Sequence, residues 1–218
     1  MTSPTAAIVF DRPLRRDAAE NRERLLAAAS EVFAERGLDA GVEEVARAAG
    51  VGMGTLYRRF PSKQALIDEL VGLMLRDFLD IARTATERTD GTGLESLLVN
   101  TAQVQAAHPG CLRRLWAQSE AGLEAIEHFR RHIPVLLRAA QKHGRIRPDI
   151  TASDVLMVLW SVSAIIDTTA AAAPNAWRRH IELAIAGLRP VDRAHLAAEL
   201  IERPMTMAQA LQVSAASR

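Results

Sequence analysis

Thr55, Tyr57, Arg58, Arg59 and Lys63 bring two hydroxyls and three cations into one short segment. The chemistry open to that set is the binding of nucleic acid. Hydroxyls, ammonium groups and guanidinium groups donate to phosphate oxygens, and an arginine also presents a fork to the O6 and N7 atoms of guanine. Just ahead stand Gly52, Met53 and Gly54. A helix beginning there exposes backbone amides that no side chain shields, so it can come close to a phosphate backbone. An arginine pair on its own is ordinarily a solvated surface feature, and a lone tyrosine is ordinarily core. The frame around these residues favours the binding reading.

Other reactive groups carry less. No glycine-rich phosphate loop, nucleophile elbow or framed pair of carboxylates is present, so no catalytic residue is assigned and an enzyme is disfavoured. His128 and His132 are four residues apart and Glu124 extends their row. A closed metal site needs about four ligands, and no cysteine-rich set completes this one. Neither a metal nor a cofactor is expected. Cys111 is the single cysteine. It begins a helix, which lowers a thiol pKa, but a free cysteine is commonly a small buried residue, the reading taken here.

The elements that position the basic segment follow from periodicity. Apolar residues recur at helical spacing throughout and no strand-length alternation appears, which predicts an all-α fold. A first helix is expected over Asp17–Arg36, with Leu25, Leu26, Ala29, Val32 and Phe33 on one face and Gly37 as a left-handed cap. A second begins near Val42 and stops at Gly50. A third carries Met53 to Phe60 before Pro61 interrupts it. Ala46 is small where these helices must cross, Gly50 can take the left-handed turn, and Val45, Ala49, Val51 and Leu56 fill the seam. This is a helix-turn-helix, over residues 17–64, preceded by a flexible basic arm at 1–16.

Residues 65–190 read as a second, helical domain, and 191–218 as a partly helical tail. Ser62 is placed to cap a long helix bearing Leu66, Leu70, Leu73, Met74 and Phe78. After a break at Thr89–Gly93, helices are expected over Leu94–Ala107, Cys111–Ala121 and Leu123–His143, the last either kinked at Pro134 or divided there. Thr151-Ala-Ser-Asp154 resembles a capping box ahead of the most hydrophobic helix, Val155 to about Ala172. Ser161, Ser163, Asp167, Thr168 and Thr169 interrupt that helix, and a bilayer span needs about 20 apolar residues, so no membrane is expected. A last helix follows Pro174. With its predecessor it presents Val155, Val162, Ile166, Trp177, Ile181, Ala184 and Leu188 as the surface expected to form a homodimer.

Composition agrees without deciding. The 218 residues are 49% hydrophobic and 24% charged, enough for a substantial core, and the net charge of +1 does not by itself suggest nucleic acid. The opening residues lack the basic start and apolar core of a secretory signal, and a single cysteine forms no internal disulfide, so a cytoplasmic protein is expected.

The stretch Asn21–Leu70, above all EEVARAAGVGMGTLYRRFPSKQAL, resembles the DNA-binding domain of the TetR (tetracycline-repressor-like) family, with its alanine-glycine-valine turn, Thr-Leu-Tyr helix and Phe-x-x-Lys-x-x-Leu continuation. HGRIRPDITASDV and the tryptophan-bearing last helices resemble the SbtR-like class of C-terminal domains in that family. The resemblance implies a homodimeric regulator, a repressor by family expectation. Each recognition helix would enter a major groove of a pseudo-palindromic double-stranded operator, and a small-molecule inducer would release it. An architectural binder of low specificity is the alternative. By position, the DNA contacts fall on Met53, Gly54, Thr55, Tyr57, Arg58 and Lys63, with Val42 opening the second helix and Gly52 and Arg59 beside them. Gly41 and Gly52 stand where many relatives carry serine or threonine, so both helix starts lack a side-chain cap. The implied inducer pocket lies in the C-terminal bundle, is largely apolar, and has Met74, Phe78, Val104, Trp116, Glu120, Phe129 and Trp160 as candidates for its lining.

Overall fold

The computed structural model describes residues 11–108, 120–190, 204–206 and 208–209, and every regular element among them is a helix. In chain order these are α1 (Asp11–Arg36), α2 (Val42–Ala48), α3 (Met53–Arg59), α4 (Lys63–Thr86), α5 (Gly93–Ala107), α6 (Glu120–Lys142), α7 (Ala152–Thr169) and α8 (Ala176–Leu188). The chain condenses into two units, Met1–Asp68 and Glu69–Arg218, and α4 runs through the boundary without a break.

In the first unit α1 buries Leu25, Ala29, Val32 and Phe33 at spacings of three and four, while Glu31, Glu35 and Arg36 stay in solvent. Gly37 closes it at φ +75°, its N–H donating to the Phe33 carbonyl at 3.0 Å. The helix begins at Asp11 rather than Asp17, so residues 11–16 are helical and not the flexible arm expected. Pro13 does not prevent this, because backbone N–H groups in a first turn have no helical acceptor to lose. Residues 1–10 lie outside the described residues. α2 and α3, at seven residues each, are too short to persist alone. Burial holds them: Val45 and Leu56 are fully enclosed, and Val42, Ala46, Ala49 and Phe60 nearly so. Each such Val, Leu or Phe stabilises by about 1.5–3 kcal/mol relative to exposure.

In the second unit α5 packs against α6, α7 and α8 together. A helix in that position keeps only a narrow face for water, at Val99, Asn100 and Gln103, while Leu94, Leu97, Leu98 and Ala102 are all fully buried. Gly93 lets α5 start close to its neighbours: a Cβ there would lie 2.4 Å from the Ala85 carbonyl oxygen and 2.8 Å from Leu136 Cδ2. α6 passes through Pro134 as one helix and begins at Glu120, so neither the division at Pro134 nor the start at Leu123 is realised. Gly144, at φ +67°, ends it. The Gln141 amide then donates to the carbonyls of Arg147 (3.0 Å) and Ile150 (2.9 Å), tying down the connection to α7. The expected capping box is formed there, with the Asp154 N–H donating to Thr151 Oγ1 at 3.4 Å and the Thr151 N–H to Asp154 Oδ2 at 2.7 Å. By length and composition α7 could cross a bilayer. Its Val155, Leu156, Leu159, Val162 and Ile166 are instead buried inside this unit.

Candidate nucleic-acid interface and ligand cavity

The turn that aims α3 is specified by one glycine. Gly50 sits at φ +65°, its N–H donates to the Arg47 carbonyl (3.2 Å), and the Val51 N–H reaches back to the Ala46 carbonyl (3.0 Å). That pair of bonds is the Schellman closure of α2, and its left-handed residue must lack a Cβ to avoid strain. Extended backbone at Gly52 (φ −74°, ψ 151°) then starts α3, and the Gly52 carbonyl accepts from the Thr55 and Leu56 N–H groups.

α3 divides cleanly. Leu56 and Phe60 turn inward, and Tyr57, 46% exposed, turns outward with Arg58 and Arg59. Arg58 Nη2 donates to Thr55 Oγ1 at 3.1 Å. A Cβ built on Gly52 or Gly54 would meet nothing within 4 Å, so packing within the chain does not require a glycine at either position. Lys63 is half-buried, with its ammonium 5.9 Å from the centre of the Phe33 ring, and it anchors the start of α4 to α1 as well as offering charge. Ser62 caps that helix, accepting from the Ala65 N–H at 3.1 Å. Met53 is half-buried. The Val42 side chain is core, 7% exposed, so that position has only backbone to offer a nucleic acid. The Glu44 carboxylate is engaged by Arg36 and, at 3.4 Å, by the Gly41 N–H.

A cavity of about 40 Å³ lies in the second unit among α4, α5, α6 and α7. Three residues expected at a pocket, Phe78, Phe129 and Trp160, are on its wall, the two phenylalanine rings 5.5 Å apart and tilted by 37°. Met74 is fully buried away from it, and Val104 is half-buried away from it. Trp116 and Cys111 lie outside the described residues, as does the side chain of Glu120. Thr101, Gln105 and Arg130 also line the cavity. Sequence reasoning missed them, although Thr101 and Gln105, four residues apart on the face that continues Leu94, Leu97 and Leu98, were a visible signal.

Residues 25–70 match the family model for bacterial regulatory proteins of the tetR family, and residues 91–190 match that for the C-terminal domain of SbtR-like transcriptional regulators. The solved TetR transcription regulatory protein from Mycobacterium vanbaalenii is 33% identical, over 82% of this chain and 100% of that one, with a TM-score of 0.57. The chain belongs to the TetR family. The TetR transcriptional regulator SCO0520 from Streptomyces coelicolor is similar at 30% identity, over 78% of this chain and 99% of that one, with a TM-score of 0.55. The HTH-type transcriptional repressor KstR2 of Mycobacterium tuberculosis is 36% identical over 123 residues, 56% of this chain and 52% of the relative, so the match spans about half the length of that curated protein.

Within this TetR-family chain the residues expected to form a dimer surface are placed differently. Val155, Val162, Ile166, Trp177, Ile181 and Leu188 are all 7% exposed or less. They hold α7 and α8 to the rest of the unit, because the most apolar stripe of each helix goes to its own core first. Only Ala184 is partly open. The large apolar side chains that these helices leave outward are Met157, 46% exposed, and Leu183, 57% exposed, beside charged Arg178, Arg179 and Glu182, with Ala164 and Gly187 also in solvent. As for the histidine row, His132 Nδ1 lies 3.0 Å from Thr86 Oγ1, and no group of three or more His, Cys, Asp or Glu converges among the described residues.

Proposed function

We propose that the chain is a DNA-binding transcriptional regulator, a repressor that occupies a pseudo-palindromic operator as a homodimer and is released when a small, largely apolar molecule enters the cavity of the second unit. One observation carries this reading: α3 turns Tyr57, Arg58 and Arg59 outward beside two glycines that internal packing does not require. A helix of that kind suits a major groove, with the arginines on phosphate or guanine and the bare backbone close against the strand. Family membership and the repressor name of KstR2 support the same direction. The residues proposed for contact are Gly52, Met53, Gly54, Thr55, Tyr57, Arg58, Arg59 and Lys63. Val42 contributes through its backbone N–H at the start of α2.

The proposed homodimer uses the outward face of α7 and α8, around Met157 and Leu183. Coupling follows from linkage: an inducer that weakens operator binding is itself bound more weakly on the operator, by a factor corresponding to about 1–3 kcal/mol. The regulator acts where DNA is, in the cytoplasm.

Fluorescence anisotropy with the DNA upstream of its own gene and a scrambled duplex of equal length, at physiological salt, tests the reading. A preference of about 10³ or more marks a specific regulator. Equal, salt-sensitive binding to both duplexes identifies an architectural binder.

A further inference from the structure

The cavity of the second unit is mostly apolar, and Thr101, Gln105, Arg130 and Ser163 bring polar groups to its wall. Phe78, Phe129, Leu156 and Leu159 contribute hydrocarbon to its wall. Thr101 and Gln105, one helical turn apart on α5, contribute a hydroxyl and an amide. Both are enclosed, at 1% and 4% exposure, and neither Thr101 Oγ1 nor Gln105 Oε1 has a hydrogen-bond partner among the described residues. Buried polar atoms are paired almost without exception, because one left unmet keeps its full desolvation penalty. Nothing in the local packing asks for polarity here, since Leu97, Leu98 and Ala102 on the same helix are fully buried hydrocarbon.

We infer, resting on the regulator reading above, that the inducer is an apolar small molecule carrying one hydroxyl group. Its O–H donates to Gln105 Oε1 and its oxygen accepts from the Thr101 hydroxyl. A ketone or ester brings no donor for Oε1, and a carboxylate brings negative charge against it. Arg130 is also on the wall; burial lowers the pKa of its guanidinium, against the opposing pull of the Glu127 carboxylate. At about 40 Å³ the cavity has room for only a few water molecules, at roughly 10–15 Å³ each, so the wall yields as a ligand the size of 2-phenylethanol enters.

The test uses the full chain without DNA, as wild type and as the Thr101→Val/Gln105→Met double variant, which keeps side-chain volume and removes both polar ends. Three probes share one skeleton: ethylbenzene, 2-phenylethanol and phenylacetate. The ligand-free double variant should melt at the wild-type temperature or above, because two unmet polar groups have been replaced by hydrocarbon. By calorimetry, wild type should bind 2-phenylethanol about ten- to hundredfold more tightly than ethylbenzene, the worth of two neutral hydrogen bonds. The double variant should lose that preference and retain ethylbenzene binding.

A melting temperature several degrees lower in the double variant would overturn the inference, since both side chains would then belong to a structural network. Equal affinity of wild type for ethylbenzene and 2-phenylethanol would overturn it too, as would tightest binding of phenylacetate or no binding of any probe. Operator binding is measured separately. A chain that ignores its upstream DNA yet prefers the alcohol loses the regulator reading while the cavity's chemistry stands, and the reverse result separates the two the other way.

Discussion

Arg58 Nη2 donates to the Thr55 hydroxyl across one turn of α3, at 3.1 Å. The bond lies on the exposed face of the helix and restrains a guanidinium that would otherwise sample many rotamers, so less freedom is lost when it meets a base edge. Arg58→Ala should lower operator affinity by a factor corresponding to about 1–3 kcal/mol. Because the side chain is in solvent, the melting free energy should change by no more than about 0.5 kcal/mol. Arg58→Lys restores the charge without the fork, and should recover binding to random duplex more fully than binding to the operator. Anisotropy and thermal melting of the same preparations check all three statements.

Gly54 separates the demands of folding from those of binding. It lies inside a helix with open space where a Cβ would stand, so Gly54→Ala should stabilise the protein by about 0.5–1 kcal/mol through helix propensity. The same methyl group would hold the helix away from a strand, and operator affinity should fall. A variant that is both more stable and undiminished in affinity would remove Gly54 from the interface.

Leu183 and Trp177 share α8 and should behave oppositely. Leu183 is 57% exposed and Trp177 3% exposed. Leu183→Glu should leave the melting of the monomer nearly unchanged and shift sedimentation from dimer to monomer. Trp177→Ala should destabilise the chain itself by about 3–5 kcal/mol, as loss of a buried aromatic does. An L183E variant that still sediments as a dimer would place the interface elsewhere.

His108 gives a pH signature. Burial pushes its imidazole below the ordinary value of 6.5, against the opposing pull of the Asp77 carboxylate. Between its folded and unfolded pKa values the unfolded chain binds a proton that the folded chain does not, so the contribution is fully present above pH 6.5 and is lost as pH falls toward the folded value. The slope from this one site cannot exceed about 1.4 kcal/mol per pH unit. Urea titrations of wild type and His108→Gln over pH 5–8 should show the wild type losing more stability on acidification. Parallel curves would mean that His108 titrates alike in both states.

The residues around Gly50 show how much could be read early. A left-handed turn needs a residue without a Cβ, short helices need buried Val and Leu at fixed spacing, and Pro61 must end what precedes it, so the helix-turn-helix was legible because each requirement is local. The Thr151 cap and the Ser62 cap were legible for the same reason. Val42 and Lys63 were less so. Both stand at helix starts that face a possible ligand, but one side chain is taken into the core and the other lies over Phe33. α1 also reached back to Asp11, because a proline in a first turn gives no stop signal.

By itself the sequence determined the all-α class, the helix-turn-helix and the outward set Tyr57, Arg58 and Arg59, since periodicity and turn chemistry act within a few residues. Tertiary structure alone decided that the apolar stripes of α7 and α8 are spent within the chain, leaving Met157 and Leu183 outside, and that Thr101 and Gln105 meet Phe78 and Phe129 around one cavity. Helical periodicity marks which residues share a face. Which neighbour covers that face depends on how distant segments compete to bury hydrocarbon, and no local spacing records the outcome.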